Sequence, residues 1–123
     1  MLNFKPLTIC LDFDGTIVES DYPEIKCFKP HAVEIIKQLV NDGHYIVIST
    51  CRIKDYETDA KQFLKNAGIT YHAFNENNPM RVEKYNGDCR KISADVYFDD
   101  LAYPQLEINW LGFYDFIRNK AVM

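Results

Sequence analysis

The sequence predicts an α/β fold built on one parallel sheet, and two observations carry that expectation. Apolar, β-prone stretches alternate along the chain with stretches that repeat apolar residues at a spacing of three and four. The β-prone stretches are nearly continuous in their apolar character, as strands are when both faces of their sheet are covered. In such sheets the functional groups lie beyond the carboxyl ends of the strands.

Residues 7–13 (LTICLDF) read as the first strand. Pro30 and the following HAVEIIKQLVNDG predict a helix: proline suits a first turn, Val33, Ile36, Leu39 and Val40 share a face, and Gly43 ends it. Residues 44–50 (HYIVIST) are a second strand, 55–66 (DYETDAKQFLKN) a second helix ending near Gly68, and 69–74 (ITYHAF) a third strand. Residues 75–91, with their Asn, Pro and Gly, read as irregular, and 95–99 (DVYFD) as a short fourth strand. Asn109 can cap a last helix in which Trp110, Phe113, Tyr114 and Ile117 share a face, an aromatic stripe that reads as core packing. Repeats, linkers and low-complexity segments are absent, so residues 1–123 form one domain, long enough for a single core.

Composition narrows the function classes. With 47% hydrophobic and 26% charged residues the chain is an ordinary globular sequence. A net charge of −4 argues against a non-specific polyanion binder, so nucleic acid is not the favoured partner. No stretch approaches the roughly 20 apolar residues that cross a bilayer, and the N-terminal MLNFKPLTICLDFDG lacks a small-residue cleavage site, so neither a membrane span nor a signal peptide is expected. Cys10, Cys27, Cys51 and Cys89 form no CxxC and no zinc-like spacing. They read as buried, reduced thiols of a cytoplasmic protein. Cys51 follows Thr50 but has no nearby His in the sequence to activate it.

The chemistry concentrates in CLDFDGTIVES, residues 10–20. In an extended chain Asp12 and Asp14 point to one face. Two neighbouring carboxylates repel unless a cation sits between them or one holds a proton, so the pair is a metal site or an acid–base pair. The second strand ends in Ser49-Thr50-Cys51-Arg52 and the fourth in Asp99-Asp100. Four acids at one rim are costly to bury unpaired. A hard divalent cation with oxygen ligands, such as Mg²⁺, would balance them.

These strand ends resemble the haloacid dehalogenase superfamily of the phosphatase type, and the chain is similar over nearly its whole length to the small capless hydrolases of that superfamily. The family's first motif, DxDGT, corresponds to Asp12 to Thr16, its second to Thr50, and its fourth, an acidic pair, to Asp99-Asp100. The resemblance implies a Rossmann-like, three-layer α/β/α domain with a parallel sheet of four or five strands in the order 4-1-2-3 and no cap domain. It implies that Asp12 attacks phosphorus and becomes an aspartyl-phosphate. Asp14 would protonate the leaving oxygen and then take a proton from the attacking water. The metal set would be Asp12, Asp14 through its backbone carbonyl, Asp99, and Asp100 orienting a metal water or the lysine. Thr50 would bond a phosphate oxygen, and Gly15, Thr16 and Arg52 would lie against the substrate. The third motif, a phosphate-contacting lysine, falls on Lys91 in preference to Lys84. A four-residue strand rises only about 13 Å, and a helical turn over residues 91–95 would descend about 6 Å, within reach of the lysine stem.

Larger members of the family carry a cap after the first motif or after the third strand. Here those gaps, residues 17–29 and 75–90, are too short for a packed domain. The site is expected to be open, with Arg52, Arg81, Lys84 and Arg90 as candidates for its mouth and Tyr22 and Phe28 in its first loop. A homo-oligomer in which a neighbouring subunit serves as lid stays open. The resulting expectation is a Mg²⁺-dependent phosphomonoesterase acting on a small phosphorylated metabolite, a nucleotide or sugar phosphate. One alternative is a phosphatase of nucleic-acid 3′ ends, because Thr50-Cys51-Arg52 resembles their Ser-x-Arg. Another is a non-catalytic phosphate-binding or phospho-accepting protein.

Overall fold

A computed structural model describes residues 3–122. In chain order the elements are β1 (Thr8–Asp12), a hairpin of β2 (Val18–Asp21) and β3 (Glu24–Phe28), α1 (Ala32–Asn41), β4 (Tyr45–Ser49), α2 (Lys54–Asn66), β5 (Ala73–Phe74), α3 (Pro79–Tyr85), β6 (Val96–Phe98) and α4 (Trp110–Lys120). The main sheet is parallel and four-stranded, in the order β5-β4-β1-β6. β1 is therefore internal, and its first four residues are buried. Its ladder runs from Thr8 beside Tyr45 to Asp12 beside Ser49, and on the other edge Leu11 pairs with Phe98. No helix among the described residues is long and apolar enough to cross a membrane.

The core forms where the strand and helix patterns meet. Ile9, Leu11, Ile46 and Ile48 of the sheet pack with Ile36 and Leu39 of α1, Leu64 of α2, and Trp110, Phe113 and Ile117 of α4. α4 starts where the sequence places it: the Asn109 side chain accepts the Gly112 N–H at 3.0 Å. Its aromatic stripe is core, with Phe98 stacked on Phe113 at 4.0 Å and edge-on to Trp110 at 4.8 Å.

Several elements differ from expectation, each for a local reason. The third strand shrinks from 69–74 to Ala73–Phe74, because the Ile46 N–H is taken by the His72 ring (2.9 Å) and the ladder starts one residue later. The fourth shrinks from 95–99 to Val96–Phe98, and the first helix starts at Ala32, beyond Pro30, with left-handed His31 as its cap residue. The stretch expected to be irregular holds α3, started by Pro79 and by the Asn78 side chain, which accepts the Met80 N–H at 3.0 Å. Residues 17–29, expected as loop, hold the β2–β3 hairpin. All four cysteines are free, but only Cys10 is buried; Cys27, Cys51 and Cys89 are exposed.

His44, at the entry to β4, gives the fold a pH dependence. Its buried ring accepts the Leu7 N–H through Nδ1 at 3.1 Å, which requires that nitrogen to be unprotonated. Burial lowers its pKa below the ordinary value, against the opposing charge of Asp42. Below about pH 6.5 an unfolded His takes up a proton that the folded ring refuses. The unfolded state then binds more protons, and stability falls as pH falls. His44→Asn keeps an acceptor and does not titrate, so its urea midpoint should drop less than that of the parent between pH 7.5 and pH 5.

Candidate active site

The sheet register brings the acids together. Asp12 ends β1, and Asp99 follows the β6 residue that pairs with Leu11, so the two leave neighbouring strands side by side. One carboxylate oxygen from each of Asp12, Asp99 and Asp100 lies within 4.8 Å of the others. The turn after β1 supports this cluster. The N–H groups of Ile17 and Val18 both return to the Phe13 carbonyl, at 3.0 and 3.1 Å, and Gly15 sits at φ +85°. A Cβ on Gly15 would lie 2.1 Å from Asp100 Oδ2, so the missing side chain is what lets Asp100 approach. Thr16 is fully buried. Its hydroxyl faces Asp12 Oδ2 at 3.1 Å and Asp100 Oδ1 at 3.3 Å as donor, and accepts the Asp100 N–H at 2.9 Å. The Thr16 carbonyl in turn accepts the Trp110 indole N–H at 2.9 Å, which fastens α4 to the turn.

Asp14 stands apart from the cluster. Arg52 donates to both its oxygens, from Nε at 2.8 Å and Nη2 at 2.7 Å, and the Ser20 hydroxyl donates at 2.6 Å. Arg52 is itself buried, with Phe13 and Tyr22 flanking its guanidinium at 5.4 and 5.1 Å. The two aspartates thus lie in opposite environments. Burial, the hydrogen bond with Asp100 and the charge of Asp99 push Asp12 up to about 8. Burial alone would also raise Asp14, but the bonds from Arg52 and Ser20 outweigh it and hold that carboxyl below its usual range.

A cavity of about 330 Å³ opens over the acids, lined by Cys10, Asp12, Ser49, Arg90, Lys91, Tyr97 and Asp99 among others. Of the two candidate lysines, Lys91 lines it; Lys84 lies on α3 with its ammonium over Tyr85. Arg90 is the candidate mouth cation that reaches this cavity, whereas Arg81 is bound to Ser93 and Asp95. Phe28 packs on Phe63 at 4.7 Å. Of the residues expected on the substrate, Gly15 and Thr16 lie against Asp100, and Arg52 lies against Asp14. Thr50 lies just beyond β4, its Oγ1 accepting the Arg52 N–H at 3.1 Å and its backbone bracketed by the Asn75 amide. Ser49, its neighbour, lines the cavity beside Asp12. Sequence reasoning passed over Ser49; strand parity was the available signal, since it pairs with Asp12. Burial pushes the Cys10 thiol up to about 11, which leaves it unsuited to nucleophilic chemistry.

Comparison with known proteins decides the family. A model described as haloacid dehalogenase-like hydrolase matches residues 9–95. The chain belongs to the haloacid dehalogenase-like hydrolases. It is 42% identical over 48 residues to the 5-amino-6-(5-phospho-D-ribitylamino)uracil phosphatase YitU of Bacillus subtilis (strain 168), a match covering 39% of this chain and 16% of that protein. It is also similar to a solved structure of a conserved protein from Bacteroides thetaiotaomicron, at 33% identity and a TM-score of 0.83, over 94% of this chain and 93% of the other.

This haloacid dehalogenase-like hydrolase has a donor set that fits the Mg²⁺ its family implies. The cluster offers only carboxylate oxygens, which suit a hard cation. Among the described residues no Lys or Arg forms an ion pair with Asp12, Asp99 or Asp100. Burial, the hydrogen bond with Asp100 and the charge of Asp99 together make Asp12 hold a proton more readily than a lone carboxylate. Between an unfolded pKa near 3.8 and a folded one near 8 the folded protein binds the extra proton, so in chelator the contribution to stability is lost as pH rises through that window. Asp12→Asn should therefore melt higher than the parent in chelator, by a margin that widens from pH 5 to pH 8.5. Added Mg²⁺ should raise the parent's melting midpoint more at the higher pH. Thermal melts at both pH values, with and without the ion, check both expectations.

Proposed function

We propose that this protein is a Mg²⁺-dependent phosphomonoester hydrolase that works through an aspartyl-phosphate on Asp12 and acts on a small phosphorylated metabolite, a nucleotide or sugar phosphate. The observation that carries the reading is the cavity in which Asp12 and Asp99 face Arg90 and Lys91, an acid cluster and a cation pair around one space. Its volume, about 330 Å³, lies at the small end of the range for ligand sites. Residues 17–29 and 75–90 hold a hairpin and one short helix, which supports an open, capless site above the middle layer of a three-layer domain. The match to the Bacillus phosphatase supports phosphate chemistry.

Asp12, Asp99 and Asp100 would hold the Mg²⁺, together with the Asp14 carbonyl. The ion would supply positive charge that keeps the cluster ionised and neutralises the transferring group. Asp12 attacks phosphorus along the open side of the cavity, and the leaving oxygen departs. Lys91 draws the phosphate oxygens from above, with the hydroxyls at the end of β4 beside them. Asp14 acts as general acid and then as base. Its resting contacts with Arg52 and Ser20 favour the ionised form, which suits the second step, acceptance of a proton from the attacking water. Arg52, turned inward onto Asp14, is poorly placed to greet a nucleic-acid end, which weighs against that alternative. Asp12 and Asp99 lining one cavity with Lys91, and Asp14 kept two residues from Asp12, weigh against a non-catalytic relative.

The two aspartates should fail differently when neutralised. Asp12→Asn should abolish both turnover and covalent labelling. Asp14→Asn should slow turnover by about 10²–10⁴-fold yet accumulate aspartyl-phosphate from p-nitrophenyl phosphate, whose leaving group needs little protonation. Rapid-quench labelling decides this; label on Asp12→Asn but not on Asp14→Asn would reverse the roles. A screen of phosphorylated metabolites and of 3′- and 5′-phosphorylated oligonucleotides, with Mg²⁺ and with chelator, tests the substrate class. Activity confined to the oligonucleotides would favour the second reading.

A further inference from the structure

Lys91 is carried by an exposed loop with little apolar packing of its own; residues 83–91 are all exposed. An open cavity of about 440 Å³, bounded by Asn77, Arg81, Tyr85, Asp88, Cys89 and Ser93 among others, also borders that loop. With open space beside it and little apolar contact, the loop is held by polar ties. Two residues supply most of them. The Asn77 amide reaches both limbs. Its Nδ2 faces the Cys89 carbonyl at 2.9 Å, Asp88 Oδ1 at 3.0 Å and the Lys91 carbonyl at 3.3 Å, and its Oδ1 accepts the Ser93 N–H at 2.6 Å. Tyr97, on β6, holds the following residues: its hydroxyl donates to the Ile92 carbonyl at 2.5 Å and accepts the Ala94 N–H at 3.1 Å. The face of the same Tyr97 ring lies 5.0 Å from the Lys91 ammonium. Tyr97 also lines the cavity that contains Asp12 and Asp99.

We propose that Asn77 and Tyr97 are positioning residues for phosphate binding, forming a mount that keeps the Lys91 ammonium at the mouth of the Asp12 cavity. This rests on the reading of Lys91 as the residue that contacts phosphate. The physical logic is pre-organisation. An ammonium on a free loop is in place only part of the time, and apparent affinity falls in proportion to that fraction. The Tyr97 ring attracts the cation without ion-pairing it, so the ammonium remains available for phosphate oxygens. Asn77 spans the loop from 88 to 93, and one side chain that bridges both limbs restricts the loop more than a bond to either alone.

The test is phosphate binding in Mg²⁺ buffer, read as the inhibition constant of inorganic phosphate and as KM, in a double-mutant cycle with Lys91→Met. Asn77→Ala should weaken phosphate by about tenfold, the worth of one or two hydrogen bonds, with a larger effect on KM than on kcat. In the Lys91→Met background the same change should have no further effect, because the mount acts only through the ammonium. Tyr97→Phe, which keeps the ring and drops the loop bonds, should behave in the same way by a smaller factor, and it serves should Asn77→Ala fold poorly. An equal loss from either variant in both backgrounds would overturn the proposal, since the residue would then act on the fold at large. So would unchanged binding in both single variants while Lys91→Met binds poorly. Should Lys91→Met itself leave binding and turnover unchanged, the phosphate role of Lys91 falls, and the mount with it. Loss of activity in Lys91→Met with an additive cycle would retain the phosphatase reading and remove only the mount.

Discussion

The mutual repulsion of Asp12, Asp99 and Asp100 is the constraint on which the rest of this structure depends. Parallel pairing on both sides of β1 makes it unavoidable, because strands in that register deliver their ends to one rim. The fold spends its local irregularities on this cluster. A glycine in left-handed conformation clears room for one acid, a buried threonine hydroxyl serves two of them, and the indole of α4 anchors the threonine. None of these supports carries a positive charge. The acids are held together without a cationic side chain bonded to them, and a cluster of carboxylate oxygens of this kind suits a hard cation.

Asp14 shows how finely the environment is partitioned. It lies two residues from Asp12, yet it belongs to another electrostatic compartment. A buried guanidinium closes it off, backed by Phe13 and Tyr22 and reinforced by Ser20 from the hairpin. Two carboxylates that started with the same intrinsic acidity are driven in opposite directions by their surroundings. Because the hairpin contributes both Ser20 and Tyr22, Asp14 is tied to an element outside the main sheet.

Much of this was legible in the sequence. The alternation of apolar stretches gave the parallel α/β sheet, because burial on both faces leaves a plain compositional trace. Asp12, Asp99 and Asp100 were legible as a cluster because carboxylates at strand ends have few structural uses. The supporting contacts were not. Arg52 reads in sequence as a substrate-facing cation at a strand end; its burial involves an aspartate 38 residues away and a tyrosine of the hairpin, contacts that leave no mark in the sequence. The stretch Asn77-Asn78-Pro79 resembled simple loop punctuation, although Asn78 and Pro79 start a helix and Asn77 binds residues up to 16 positions on. Ser49 was obscured by Thr50, since two adjacent hydroxyls differ only in strand parity. Non-local hydrogen bonds leave no periodic trace in a sequence, and they are what separates a list of acids from a site.

The bond from Trp110 to the Thr16 carbonyl has one more consequence. Trp110 is the sole tryptophan of the chain, buried and one hydrogen bond removed from the residue whose hydroxyl contacts Asp12 and Asp100. Its emission therefore comes from a single, known place, and indole fluorescence responds to the field and hydrogen bonding at its nitrogen. The protein carries a built-in optical reporter on its own acid cluster. A change of charge or bonding at Asp12 or Asp100 can therefore be followed in the unlabelled molecule, through light emitted from the far side of the Thr16 peptide.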